Sequence, residues 1–247
     1  MSGWLALDGV ENVRDIGGLP LRDGGVTRSG VLLRSANLRH ATPADVEHLV
    51  EVFGLELILD LRTPREINRD GPPRLAAAGV RTVRLNFLPD HGEPLPWGIS
   101  DDPATDPLLA SYRGYLDGQA GNVAAAVVEL ADGGPALVHC AAGKDRTGVL
   151  IALVLDVIGV ERTAVLADYA RSGERVPELI RRWMAESGAP VPQDLSVHMP
   201  RPAVLGAVLA ELDAEHGNGR DGGAVGWLRA QGVDQATLEL LRARFTG

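Results

Sequence analysis

Cys140 is the only cysteine in a chain of 247 residues, and Arg146 follows six positions later. Ala141, Ala142, Gly143, Lys144 and Asp145 stand between them, with His139 before and Thr147-Gly148 after. One apolar run (136–138) stops at His139 and a second begins at Val149, which predicts a loop between a strand and a helix N-terminus. Backbone N–H groups at a helix start have no intrahelical partner, and the helix dipole there favours negative charge. The small residues 141–143 let those amides approach an oxyanion, so the loop reads as an anion cradle. The same field stabilises a thiolate, the nucleophilic form of Cys140, while Arg146 presents a planar fork matched to two phosphate oxygens. A thiolate facing a phosphoryl group beside such a cation is set for attack on phosphorus, through a cysteinyl-phosphate that water then hydrolyses. A Walker-type nucleotide loop would need Gly at 138 and Ser or Thr at 145; Val138 and Asp145 exclude it.

His139-Cys140-Ala-Ala-Gly-Lys-Asp-Arg146-Thr-Gly148 resembles the signature loop of protein tyrosine phosphatases, and most closely the bacterial tyrosine-phosphatase-like family with the loop HCxxGKDRTG. Companion segments resemble further motifs of that family in order: "ENVRDIGGL" (11–19), "LLRSANL" (32–38), "ILDLRTPRE" (58–66) and "DYARS" (168–172). The tail "GGAVGWLRAQGVDQATLELLR" is similar to its C-terminal helical segment, so the resemblance spans nearly the whole chain. It implies action on phosphotyrosine, with phosphoserine, phosphothreonine or phosphoinositides as further substrates of some members. It also implies Cys140 as nucleophile, Arg146 as phosphate ligand, and the amides of Ala141, Ala142, Gly143, Lys144, Asp145 and Arg146 as the cradle. His139 would brace the loop, and Thr147 would donate a hydrogen bond to the sulfur as it leaves.

The leaving oxygen needs a proton from an acid within reach. Asp145 is the expected donor because the motif fixes its place; Asp90, in Leu88-Pro89-Asp90 with Trp97 nearby, is the alternative. Asp60 and Arg62 sit where open α/β sheets place ligands, and equally suit a structural ion pair. Arg14 and Asp15 are weaker candidates for organising the site. Lys144 either supports the bound dianion or reads a second phosphate. His198 and Met199 are expected to be surface or packing residues.

These groups need a scaffold that ends a strand beneath a helix. Residues 55–62 form a nearly continuous apolar run, as for a strand buried on both faces, and 79–87 alternate as a second strand. Residues 135–140 are a third strand, leading to a buried helix over 147–159. Thr42 is the expected N-cap of a helix carrying Pro43 in its first turn and stopping at Gly54. Residues 1–40 read as a loop and hairpin, 88–107 as a loop, and 108–130 as helical with a break near "DGQAGN". Helical patterns run from 160 onward, broken by "SGAPVPQDL" and "HGNGRDGG". The expected fold is a single α/β domain (1–247) with a central, mainly parallel sheet flanked by helices, tyrosine-phosphatase-like. Its Pro-rich stretch would introduce a helical C-terminal segment (187–247) serving as a lid.

An apolar fraction of 45% fills a substantial core. A net charge of −9 argues against nucleic-acid or anionic-membrane partners beyond one basic pocket. One cysteine excludes internal disulfides, no Cys/His cluster has zinc spacing, and no metal or cofactor is expected. The start lacks an apolar signal region and no stretch of 18 apolar residues occurs, so a cytoplasmic protein acting on a phosphorylated protein or phosphoinositide is expected. The rival from another class is a phosphate-binding module without turnover. Arsenate reduction and sulfur transfer are remoter chemistries for a loop cysteine.

Overall fold

The computed structural model describes residues 3–71, 74–88, 98–218 and 222–246. Five strands, β1 (Arg14–Asp15), β2 (Leu32–Ser35), β3 (Leu57–Asp60), β4 (Arg81–Arg84) and β5 (Ala136–His139), form one sheet in the order β1-β2-β5-β3-β4. Only β1 runs antiparallel, pairing Arg14 with Arg34. The rest are parallel, and β5 lies centrally with Leu137 opposite Leu33 on one side and Ile58 on the other. All four residues of β2, β3 and β5 are buried, as expected in a sheet covered on both faces, and β3 and β5 show it in their apolar runs.

Among the described residues, ten α-helices surround the sheet. Thr42 caps α1 (Pro43–Glu47), which continues as a wider π turn (His48–Val52) and stops at Gly54, whose φ of 74° is the left-handed conformation expected there. α2 (Pro64–Asp70) starts on a capping box made by Thr63 and Glu66. α3 (Pro107–Gly118) and α4 (Ala120–Ala131) divide within the expected break. α5 (Asp145–Ile158) is buried along its whole length, as its all-round apolar sequence demands. α6 (Arg162–Arg171), α7 (Val176–Ser187), α8 (Pro202–His216), α9 (Gly223–Ala230) and α10 (Gln235–Phe245) complete the chain.

Period-two alternation sorts the strands between two cores. Leu32, Leu57, Leu59, Ala136 and Val138 face the larger one, which holds α5 and residues of α3, α4 and α8–α10. Leu33, Ile58 and Leu137 face a smaller core with Leu38, Leu49 and Leu75. Two expectations change in detail. Residues 31–35 close the N-terminal hairpin with β1 but also run parallel beside β5; buried Arg34 and Ser35 disguise an interior strand. The helices after residue 202 are bound into the body rather than laid over a pocket. Leu205, Leu209, Trp227, Leu228, Leu241 and Phe245 are all buried, and Arg242 Nε donates to Val157 O at 2.7 Å. Among the described residues no helix is long and apolar enough to cross a membrane.

Candidate active site

β5 delivers Cys140 to the floor of a cavity of about 770 Å³, and α5 begins five residues later. The turn between them depends on Gly143. Its φ is 66°, and a Cβ there would meet Ser35 O at 2.2 Å. The loop carbonyls are pinned outward. Asn37 N donates to Ala141 O at 3.0 Å, and Asn12 Nδ2 donates to Ala142 O at 2.9 Å and to Gly143 O at 3.1 Å. Arg34 Nη2 adds a bond to Gly143 O at 2.9 Å, and Gly148 N donates to Lys144 O at 2.7 Å. Among the described residues, the amides of 141–146 donate to no backbone or side-chain acceptor. Carbonyls held outward beside uncommitted amides are what an anion cradle requires.

Arg146 is clamped. Its Nη1 and Nη2 meet Glu66 Oε2 and Oε1, each at 2.7 Å, and Nη1 also reaches Leu61 O at 3.2 Å. Burial opposes the guanidinium charge, but the bonds to Glu66 and the nearby Cys140 outweigh it, so Arg146 stays firmly cationic. Burial likewise raises the Glu66 pKa, yet Arg146 and the Thr63 bonds bring it net below 4.5.

Asp145 lines the same cavity, with Oδ1 accepting from Tyr112 OH at 2.7 Å and Oδ2 3.5 Å from Lys144 Nζ. Lys144 is already engaged, donating to His198 O at 2.6 Å, and His198 itself lines the cavity rather than the outer surface. His139, fully buried, donates from Nδ1 to Cys140 O at 3.2 Å, while its Nε2 stands 3.7 Å from Asp60 Oδ1. Burial first, helped by the charges of Arg62 and Arg146, holds its pKa below 6.5 against the pull of Asp60. Thr147 Oγ1 is buried and makes no hydrogen bond among the described residues.

Asp60 and Arg62 lie behind the loop as a buried pair at 2.8 and 2.7 Å. Arg62 extends to Asn37 Oδ1 at 3.1 Å, so the pair supports the segment that pins Ala141. Asp15 serves the hairpin, accepting from Gly17 N and Gly30 N. Arg14 belongs to a buried node with Asp168 (2.8 Å), Asn12 (2.6 Å) and, through Asp168, Arg34 (2.6 Å). Asp90, the alternative acid, and Trp97 fall outside the described residues. Asn12, Arg34, Glu66 and Asp168 carry no chemical signature of their own in the sequence, although each stands inside a companion motif. Thr63-x-x-Glu66 also has capping-box spacing.

The far wall of the cavity is α7, which presents Val176, Leu179, Ile180, Trp183 and Met184. This helix precedes the Pro-rich stretch instead of following it. Ion pairs tie it to the body, Arg182 to Glu11 at 2.6 Å and Glu186 to Arg39, with His40 beside Glu186 at 2.8 Å. No three His, Cys, Asp or Glu side chains among the described residues are grouped to hold a metal ion.

Comparison with known proteins bears on this geometry. The model of a tyrosine phosphatase family matches residues 5–247. The triple specificity protein phosphatase PtpB of Mycobacterium tuberculosis is 31% identical, over 98% of this chain and 98% of its own length. A tyrosine-protein phosphatase of Nostoc commune is 30% identical, over 86% of this chain and 73% of its own length.

Proposed function

Since the chain belongs to the tyrosine phosphatase family, we propose that it hydrolyses phosphotyrosine, and phosphoserine or phosphothreonine as well, through a phosphocysteine intermediate. The observation carrying this reading is the loop from β5 to α5, where a thiol and a clamped guanidinium line one cavity and the amides of 141–146 donate to no acceptor among the described residues. In the first step the Cys140 thiolate attacks phosphorus as the P–O bond to the aryl group breaks. Arg146 and the amides of 141–146 neutralise the equatorial oxygens, where charge is greatest in the transition state. Asp145 gives its proton to the departing phenolic oxygen. In the second step Asp145, now a carboxylate, takes a proton from water as that water attacks phosphorus. The P–S bond breaks, returning thiolate and inorganic phosphate. Neither step calls for a metal or an organic cofactor.

His139 would hold the cysteine carbonyl in place, and Asp60–Arg62 would hold the segment that pins the loop. The apolar face of α7 suits the ring of a phosphotyrosine better than a short phosphoserine. The cavity also exceeds what one phosphotyrosine side chain fills, which leaves a phosphoinositide headgroup as the second reading, with Lys144 near the extra phosphate.

The test is phosphate release from phosphotyrosine, phosphoserine and phosphothreonine peptides and soluble phosphoinositides, with EDTA present, for wild type and Cys140→Ser. Turnover is expected on phosphotyrosine and lost in the variant. A preference for phosphoinositides would select the second reading. Binding without release by the wild type would replace both with a phosphate-binding module.

A further inference from the structure

The chain contains three tyrosines, Tyr112, Tyr115 and Tyr169, and all three are buried around Asp145. Two of them form a chain behind its carboxyl group. Arg201 N–H donates to Tyr169 OH at 3.2 Å, the Tyr169 and Tyr112 hydroxyls are 2.6 Å apart, and Tyr112 OH donates to Asp145 Oδ1 at 2.7 Å. The path links α3 and α6 to the first turn of α5, with its far end on the residue just before α8. Close packing makes room for it, since a Cβ on Gly148 would sit 2.7 Å from the Tyr169 ring.

The order of donors in this chain is fixed. A backbone N–H only donates, so the Tyr169 oxygen accepts at that end and its own proton must go to Tyr112. An ionised carboxylate only accepts, so the Tyr112 proton goes to Oδ1. Reversing the order would leave the Tyr169 hydroxyl proton buried beside a second donor, with no acceptor. Burial, with the adjacent Asp145 charge, raises the pKa of all three tyrosines, so the hydroxyls remain protonated through the working pH range.

We propose that Tyr112 and Tyr169 are positioning residues that orient Asp145, holding its carboxyl in one rotamer and confining its transferable proton to Oδ2. This rests on the reading of Asp145 as general acid. A syringe-like proton path through the tyrosines is not involved. The relay fills Oδ1 with a donated hydrogen bond, and the acid proton is then carried on the oxygen that remains. The other groups facing Asp145 are Tyr115 from α3, Lys144 and Arg146 from the loop and α5, Cys140, and His198 from the segment before α8. None of these replaces the Tyr112 bond.

The experiment uses full-length Tyr112→Phe and Tyr169→Phe with aryl phosphates of graded leaving-group pKa, from 2,4-dinitrophenyl to phenyl phosphate, across pH. Tyr112→Phe is expected to lower kcat/KM tenfold or more for phenyl phosphate and less than twofold for dinitrophenyl phosphate. The alkaline limb for phenyl phosphate should move to higher pH, because the carboxylate loses a stabilising donor. Tyr169→Phe should give the same pattern at smaller amplitude, and it keeps the test open should Tyr112→Phe fold poorly. Equal losses on every substrate with an unmoved limb, or no loss at all, would overturn the proposal. Asp145→Asn is run alongside. A flat leaving-group response in that variant overturns the acid assignment itself, whereas a steep response there with a flat one in both tyrosine variants overturns only the relay.

Discussion

Glu66→Gln isolates what the clamp on Arg146 does. Glu66 has two duties: its Oε2 accepts the Thr63 N–H at 2.8 Å as part of the α2 capping box, and both oxygens hold Arg146. Glutamine can keep its carbonyl where Oε2 stands, so the cap survives. Its amide NH₂ then occupies the Oε1 position and meets Arg146 Nη2, donor against donor. One charge-assisted bond is lost, worth about 1.5–3 kcal/mol, and the ionic component of the other goes with it. The guanidinium keeps its charge but loses the fork that fixes its plane. A displacement of about 1 Å at such a group costs on the order of 10²-fold in rate, or about 2.7 kcal/mol of transition-state stabilisation.

The assay pairs kcat/KM on an aryl phosphate with vanadate affinity and thermal unfolding. We expect kcat/KM to fall about 100-fold and unfolding stability to drop by about 2 kcal/mol. Near-wild-type kcat/KM with a lowered midpoint would refute the reasoning and reduce Glu66 to a helix cap. The pH dependence has a definite sign. Because the folded pKa of Glu66 lies below 4.5, its contribution is complete above that value and is lost as pH falls through the lower folded value.

Gly143→Ala should abolish turnover and vanadate binding, since its Cβ would collide with Ser35 O and residue 143 needs φ near 66°; a variant retaining a tenth of wild-type kcat/KM would disprove the turn's role. Asn12→Gly keeps the left-handed backbone (φ 56°) but deletes both bonds to the loop carbonyls, so vanadate affinity should weaken about 30-fold, for two hydrogen bonds of about 1 kcal/mol each. Unchanged affinity by calorimetry would mean that Arg34 and Asn37 suffice. His139 is held neutral by burial, so the unfolded chain takes up a proton near pH 6.5 that the folded protein refuses. Stability should therefore fall on acidification below about 6.5, until the folded value is reached. Urea unfolding at several pH values should show a shallower slope in His139→Gln, and an identical slope would contradict this.

The strand-loop-helix unit was legible because its signals are local. The apolar run, the small residues, Cys140 and Arg146 lie within fifteen consecutive positions, and the physics linking them is that of one helix start. The parallel strands at 57–60 and 136–139 were legible for the same reason, as unbroken apolar runs between turns. Arg34 shows where that kind of reading stops. An arginine in a short apolar run argues for an edge, and only Asp168, 134 residues away, makes it an interior residue by accepting its charge. Likewise nothing near Tyr112 announces Asp145, and the apolar face of α7 reads as core until the cavity beneath it is seen.

The brace behind the loop also separates net charge from local field. Around Gly143, the two buried guanidiniums of Arg14 and Arg34 share the carboxylate of Asp168, and among the described residues no second carboxylate pairs with either. Burial first, and then the like charge of Arg34, bring the Arg14 pKa down to about 10. Asp168 opposes both effects through its charge and its hydrogen bond without cancelling them. The fold keeps the surplus where it touches the loop backbone, through Arg34 to Gly143 O. A chain of −9 overall can thus hold a locally cationic cradle, with low-dielectric burial doing what surface charge does not. Phosphoryl affinity is accordingly expected to depend on the cradle's own geometry, more than on long-range steering that salt would screen.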